Sequence, residues 1–291
     1  MGYKVLKKEW LAPAIFSLKV EAPLIASKAR PGNFVIMRYK ESGERIPLTL
    51  FDWDQREGWV KLIIQEVGKT TKELATVNEG EELRDLLGPL GKPFELEKFS
   101  GVVVGVAGGL GAAPLYPILV ALHDLGNEVI TILGARTKDL LILREELSQI
   151  SKRLLIATDD GSVGRKGFVT DVLFDLLGTT NVSQVIAIGP LPMMAAVSKL
   201  TKESQTTTIV SLNSLMIDGT GMCGGCRVTV SGKTMFACVD GPDFDAHQVD
   251  FEELLRRQSF YKEQEEQALK HYKDHLCQLE KRAAELEDKE K

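Results

Sequence analysis

The chain begins with short runs that suit strands. Residues 15–20, 34–38 and 59–64 are rich in β-branched and aromatic side chains and are parted by polar or Gly/Pro turns. Regular spacing of this kind predicts an antiparallel β-barrel over residues 1–97. The breaker Gly88-Pro89-Leu90-Gly91-Lys92-Pro93 is the expected boundary.

From 98 to 213 the pattern changes. Five apolar runs, 102–106, 129–133, 154–157, 185–188 and 208–211, alternate with helical segments such as 114–125 and 170–177. The alternation predicts an α/β domain with a parallel sheet. Near-continuous apolar strands predict helices on both of its faces. Residues 214–250, rich in Gly and Cys, read as a small third unit.

The last segment, 251–291, has no Gly or Pro, and 20 of its 41 residues are Asp, Glu, Lys or Arg. A long charged helix is expected. Leu269, Tyr272, Leu276, Leu279, Ala283 and Leu286 recur three and four apart, an a/d seam. Such a helix either lies on its own domain or docks onto a partner subunit. His271 and His275 are four apart on it and read as solvated surface residues, and Cys277 has no assigned role.

Composition adds exclusions. Hydrophobic residues make up 44% and charged residues 26%, ordinary values for a globular protein. A net charge of −5 offers no attraction for nucleic acid. No apolar run approaches the ~18–20 residues that cross a bilayer. The start lacks a signal-peptide core, so a cytoplasmic location and no membrane partner are expected.

Three of four cysteines, Cys223, Cys226 and Cys238, lie within sixteen residues. A reducing cytosol disfavours disulfides, so the cluster reads as a metal site. Asp218-x4-Cys223-x2-Cys226-x11-Cys238 has the plant-type [2Fe–2S] spacing, with Asp218 in the first ligand position. A structural zinc site would accept the same ligand types.

Glycine-rich turns supply candidate nucleotide sites. Gly108, Gly109 and Gly111 follow a valine strand and open a helix at Pro114, a context for close backbone approach to phosphate. Gly189 and Pro190 end a late strand. Gly68, Thr70 and Thr71 open a short helix and offer N–H groups to a pyrophosphate, or form an ordinary capped start. Arg45, Pro47, Leu48 and Thr49 combine a phosphate-clamping guanidinium with a hydroxyl for a flavin edge, or form a plain strand. Arg136, after the second α/β strand, leaves NAD against NADP ambiguous.

With these motifs together, the chain up to about residue 250 resembles the ferredoxin-NADP reductase superfamily with a C-terminal [2Fe–2S] loop. Within it, residues 210–227 resemble the electron-transfer subunits of dihydroorotate dehydrogenase. They are more similar still to the small subunits of NADH-dependent ferredoxin:NADP oxidoreductase (sulfide dehydrogenase β subunit), where Asp replaces the first Cys ligand. The resemblance implies that Arg45, Pro47, Leu48 and Thr49 contact FAD and that Gly68, Thr70 and Thr71 hold its pyrophosphate. Gly108, Gly109, Gly111 and Pro114 would line an NAD(H) site, with Gly189 and Pro190 near the nicotinamide. Relatives often carry Cys before that Gly-Pro, where this chain has Ile188. Further implications are electron bifurcation and a large iron–sulfur flavoprotein partner in a heterodimer or higher assembly, linked indirectly to ferredoxin and NADP(H). A dihydroorotate dehydrogenase subunit, a stand-alone NADH diaphorase and a non-redox zinc-binding subunit are the alternatives.

Overall fold

The computed structural model describes residues 2–289, with side chains as far as residue 274 and at residue 278. The first part holds strands β1 (Tyr3–Ala12), β2 (Ile15–Glu21), β3 (Phe34–Arg38), β4 (Ile46–Thr49), β5 (Asp52–Asp54), β6 (Trp59–Gln65), β7 (Glu82–Leu83) and β8 (Asp85–Leu90), with short helices α1 (Pro23–Ala26) and α2 (Lys69–Ala75). Two antiparallel sheets, ordered β5-β6-β2-β1-β7 and β4-β3-β8, close around one core. Strand alternation decides which side chains fill it. Phe16, Leu18 and Val20 point inward with Leu62 and Ile64, while Ile15 and Ile63 point the other way into the core of the next domain. The barrel wall is therefore also an inter-domain wall.

The last barrel strand ends inside the breaker run. Gly88 to Leu90 complete β8, where Leu90 pairs with Phe34 across a register shift. That shift accommodates the Gly-Pro step inside a paired edge strand.

The second part contains β9 (Val102–Gly108), α3 (Ala112–Asp124), β10 (Val129–Ala135), α4 (Arg144–Ile150), β11 (Arg153–Thr158), β12 (Arg165–Lys166), α5 (Val169–Leu177), β13 (Val182–Ile188), α6 (Leu191–Glu203) and β14 (Thr208–Ser211). The sheet order is β12-β11-β10-β9-β13-β14, all parallel. In β9, Val102, Val104 and Val106 face one apolar cluster and Val103 and Ala107 the other. Both faces are covered, as the unbroken valine run predicts. Gly105 lets α3 close in, since a Cβ there would lie 2.6 Å from Leu119 Cδ1.

The cysteine-containing segment is tied to this sheet. After β15 (Arg227–Val230) and β16 (Lys233–Phe236), β17 (Asp243–Asp245) pairs antiparallel with β14 and becomes its edge. Cys226, Val228, Cys238 and Phe244 join the same core as β9 and β13. Helix α7 (Phe251–Gln258) is capped by Asp250 and buries Leu254 in that core.

The terminal helix, α8 (Lys262–Lys289), runs back over the barrel and contacts α2. Ala268, Leu269 and Tyr272 are half-buried there. That part of the seam lies on its own chain. Leu276, Leu279, Ala283, Leu286, His275 and Cys277 fall outside the described side chains.

Candidate functional site

The sheet order places β9 between β10 on one side and β13 on the other. Connections diverge at that point, and open α/β sheets leave a crevice beyond the carboxyl ends of such strands. The loops after β9 and β13 interlock there. A Cβ on Gly111 would lie 2.0 Å from Ile188 O, and one on Gly189 would lie 3.0 Å from Gly108 N. Gly109 behaves oppositely. It has φ +56°, and a Cβ there would meet nothing within 4 Å. Its backbone borders open space, which suits close approach of a phosphate.

That space is a cavity of ≈ 720 Å³ between barrel and sheet. The barrel contributes Pro47, Leu48 and Thr49 from β4, and the sheet contributes Gly108, Gly109, Gly111 and Pro114. Gly189 and Pro190 close it from β13, and Ser211, Leu212, Asn213 and Met216 from the segment leading to the cysteines. Arg136, Asp159 and Phe168 line it at the ends of β10 and β11 and before α5.

Four expected nucleotide contacts stand outside this lining. Arg45 is exposed beside β4. Thr71 caps its own helix start, its hydroxyl accepting from the N–H groups of Val67 (2.9 Å) and Gly68 (3.1 Å). The buried Thr70 hydroxyl donates to Glu44. A Cβ at Gly68 would meet nothing within 4 Å, so the loop is open on one side. Val67 of the same loop lines the cavity.

The cysteine loop wraps around its own carboxylate. Asp218 accepts from Thr220 N (2.9 Å), Met222 N (3.0 Å) and Cys223 N (2.7 Å). These bonds, the one from Thr220 foremost, hold its pKa below the usual carboxylate value. Gly219 takes φ +73°, and a side chain there would strike Leu90 and Ile36 of the barrel. The loop is therefore seated on the barrel beside the cavity.

Cys226 and Cys238 are buried with their sulfurs 3.2 Å apart, and Cys223 is exposed. Burial, and then the Cys226 sulfur, push the Cys238 thiol well up. A metal would displace these protons and supply the missing charge partner. Among the described residues, no three His, Cys, Asp or Glu side chains converge on one point. The sulfurs of Cys226 and Cys238 lie together, and Asp218 is tied to Cys223 through that residue's backbone N–H. Three thiols and one carboxylate are donors that suit iron–sulfur ligation.

Comparisons with known proteins agree with this geometry. A model of the oxidoreductase NAD-binding domain matches residues 106–199. A model of the iron–sulfur cluster binding domain of dihydroorotate dehydrogenase B matches residues 213–250. A dihydroorotate dehydrogenase B (NAD(+)) electron transfer subunit homolog from Thermotoga maritima is 47% identical over 262 residues, 90% of this chain and 92% of that one. The chain belongs to this family. The electron transfer subunit of Desulforamulus reducens is 33% identical over 86% of this chain and 97% of its own. A solved chain of NADH-dependent reduced ferredoxin-NADP oxidoreductase superposes with TM-score 0.88 at 45% identity, covering 94% of this chain and 98% of that one. A cytochrome P450 reductase from Amycolatopsis, at 22% identity and TM-score 0.60, shares the fold.

As a member of this electron transfer subunit family, the chain is an oxidoreductase component whose cofactors are FAD, a [2Fe–2S] cluster and NAD(H). Several cavity residues were not legible as site residues. Ser211, Leu212, Asn213 and Met216 carry no glycine-rich or metal-ligand signature and reach the cavity because β14 ends there. Asp159 was findable in principle, because it follows a parallel strand at the same end of the sheet as Gly108 and Gly189.

Proposed function

We propose that the chain exchanges hydride between NAD(H) and FAD, and single electrons between FAD and a [2Fe–2S] cluster, inside a larger complex. The observation that carries this reading is the shared cavity. Its walls bring the β4 residues Pro47–Thr49 opposite the Gly108–Pro114 turn, and the strand leaving it leads within a few residues to the cysteine loop. When bound, the flavin supplies the conversion between two-electron and one-electron chemistry.

In this reading the chain's own groups bind and orient. Pro47, Leu48 and Thr49 set the flavin against β4, and Arg45 and the loop of Gly68, Thr70 and Thr71 reach its phosphates. Gly108, Gly109, Gly111 and Pro114 hold the dinucleotide, with Gly189 and Pro190 below the nicotinamide. Asp218, Cys223, Cys226 and Cys238 hold the cluster. The unit boundaries are then 1–97, 98–213, 214–250 and 251–291. NAD is the chosen nucleotide, since Asp159 shares the cavity wall with Arg136 and opposes a 2′-phosphate.

A one-electron centre without a further acceptor in the same chain needs a partner. The similarity to the ferredoxin-NADP oxidoreductase chain supports a large iron–sulfur flavoprotein subunit and an electron-bifurcating cycle that reaches ferredoxin and NADP(H) indirectly. The cytoplasm is the proposed compartment, where exposed Cys223 stays reduced. Names of several relatives favour a second reading, an electron transfer subunit serving dihydroorotate oxidation. Native co-purification followed by assays with ferredoxin plus NADP and with dihydroorotate separates the two. Partner-dependent dihydroorotate oxidation without ferredoxin activity overturns the bifurcating assignment.

A further inference from the structure

Asp243 lies on β17, next to Pro242, which lines the cavity. Both of its carboxyl oxygens are buried, and among the described residues neither makes a hydrogen bond of ordinary geometry, although the Ser211 hydroxyl stands close enough to act on the carboxyl. Burying a carboxylate without a partner is costly, so such a group is held neutral or is served by something that comes and goes. Its register partner on β14 is Ser211. Directly opposed residues of an antiparallel pair project from the same face, and Ser211 also lines the cavity. Asp243 therefore stands one hydroxyl behind the cavity wall.

The other sides are closed by the barrel and the segment leaving it. A Cβ on Gly32 (φ +87°) would come within 3.1 Å of Asp243 Oδ2 and 2.8 Å of Phe94 N. Phe94 N donates to Pro31 O at 2.8 Å, which fixes loop and segment together over the carboxyl. Lys92 reaches the start of β17 only through its backbone, donating to Gly241 O at 2.7 Å. Burial pushes the Asp243 pKa up to about 7, and the Ser211 hydroxyl pulls it down by less. Among the described residues, no charged side chain of loop, segment or sheet bears on it.

We propose that Asp243 stores the proton that accompanies electron uptake in the cavity and exchanges it through the Ser211 hydroxyl. The proposal rests on the reading that the cavity holds FAD. A hydride carries two electrons and one hydrogen, and reduction of a flavin to its uncharged form takes one further proton. The Asp243 O–H bond breaks as its proton passes to Ser211 Oγ, and the proton of Ser211 moves into the cavity. A carboxylate remains. When the electrons leave singly, the flavin gives up two protons: one returns to Asp243 by the reverse path, and the other, which arrived with the hydride, passes to solvent. Asp243 acts through Ser211, so it is a positioning residue for the proton and does not touch the reacting atoms.

The test uses the full chain purified anaerobically, with Asp243→Asn and Ser211→Ala beside the wild type. Released flavin is identified first by chromatography. Redox-difference infrared spectra and the pH dependence of the flavin midpoint potential are then recorded. The wild type should lose a protonated-carboxyl band on reduction, and its potential–pH plot should change slope near pH 7. Asp243→Asn should lack both features. Ser211→Ala should keep the band but respond at least tenfold more slowly to reduction. A FAD-loaded wild type without the band change overturns the proposal, as does an unaltered break in Asp243→Asn. If Asp243→Asn fails to fold, the wild-type band and the Ser211→Ala kinetics decide. Wild type that binds no FAD would overturn the reading of the cavity itself, and the proposal with it.

Discussion

The Oδ2 of Asp218 accepts the backbone N–H of Cys223 at 2.7 Å, so the carboxylate proposed as the first ligand also caps the cysteine loop. A ligand role stays open through Oδ1, which accepts only from Thr220 N, whereas Oδ2 is already filled by the N–H groups of Met222 and Cys223. Asp218→Cys should keep a cluster and move its spectrum towards the all-thiolate type. Asp218→Ala should lose the cluster or bind it in lowered yield. Electron paramagnetic resonance and iron content of the three proteins check this, and identical signals would leave Asp218 as a cap alone.

Gly109 and Gly111 make contrasting predictions. Gly109→Ala places a methyl group in open cavity space at φ +56°, a strain of roughly 1–2 kcal/mol. Its expected result is weaker NADH binding at unchanged FAD content, read by fluorescence titration. Gly111→Ala would drive a Cβ to within 2.0 Å of Ile188 O. It should lower the yield of folded protein before any effect on binding is seen.

Arg45 stands exposed one residue before β4, whose Pro47, Leu48 and Thr49 line the cavity, and its contact with phosphate would be charge-assisted. Loss of one such bond costs about 1.5–3 kcal/mol, so Arg45→Ala should weaken FAD binding on the order of tenfold to a hundredfold. Equilibrium dialysis against FAD measures it. Retention as tight as the wild type would leave Arg45 an ordinary surface residue.

Asp243 also predicts a pH dependence of stability. Its folded pKa of about 7 stands above the ordinary 3.8. Between those values the folded state holds a proton that the unfolded state has released, so stability falls as pH rises from about 4 to 7. The full effect is on the order of 4 kcal/mol. Urea midpoints for wild type and Asp243→Asn across this window should converge at low pH and separate as pH rises, with the variant the more stable. Parallel curves would contradict it.

The C-terminal helix offers a truncation with a defined cut. Residues before 259 belong to the fold, since Leu254 is 3% exposed in the main core. Removing 262–291 should leave NADH-dependent flavin reduction intact and weaken assembly with the partner subunit, measured by native mass. Unchanged assembly would confine the helix to its own barrel, where α8 contacts α2 and Leu269 and Tyr272 are half-buried.

The α/β sheet was legible because its strands are continuous apolar runs that announce burial on both faces. The runs at 102–106 and 185–188 became β9 and β13 with the turns Gly108–Gly111 and Gly189–Pro190 at their ends. The edge strand β17 was not legible. Its Asp243-Phe244-Asp245 has one apolar residue, and only pairing with β14 makes it a strand. Gly88-Pro89 falls inside a strand, since pairing of β8 with β3 overrides local breaker chemistry there. Ser211 and Asp243 became site residues through tertiary placement, which no local motif encodes.

Hydride arriving from NADH is proposed to leave as single electrons through the cysteine loop. The decisive experiment is anaerobic addition of one equivalent of NADH to the purified chain, followed by optical spectra and low-temperature electron paramagnetic resonance. The expected result is bleaching of the flavin band together with a new signal from a reduced [2Fe–2S] cluster in the same protein. A colourless protein containing zinc, or a flavin that NADH does not reduce, would contradict the account.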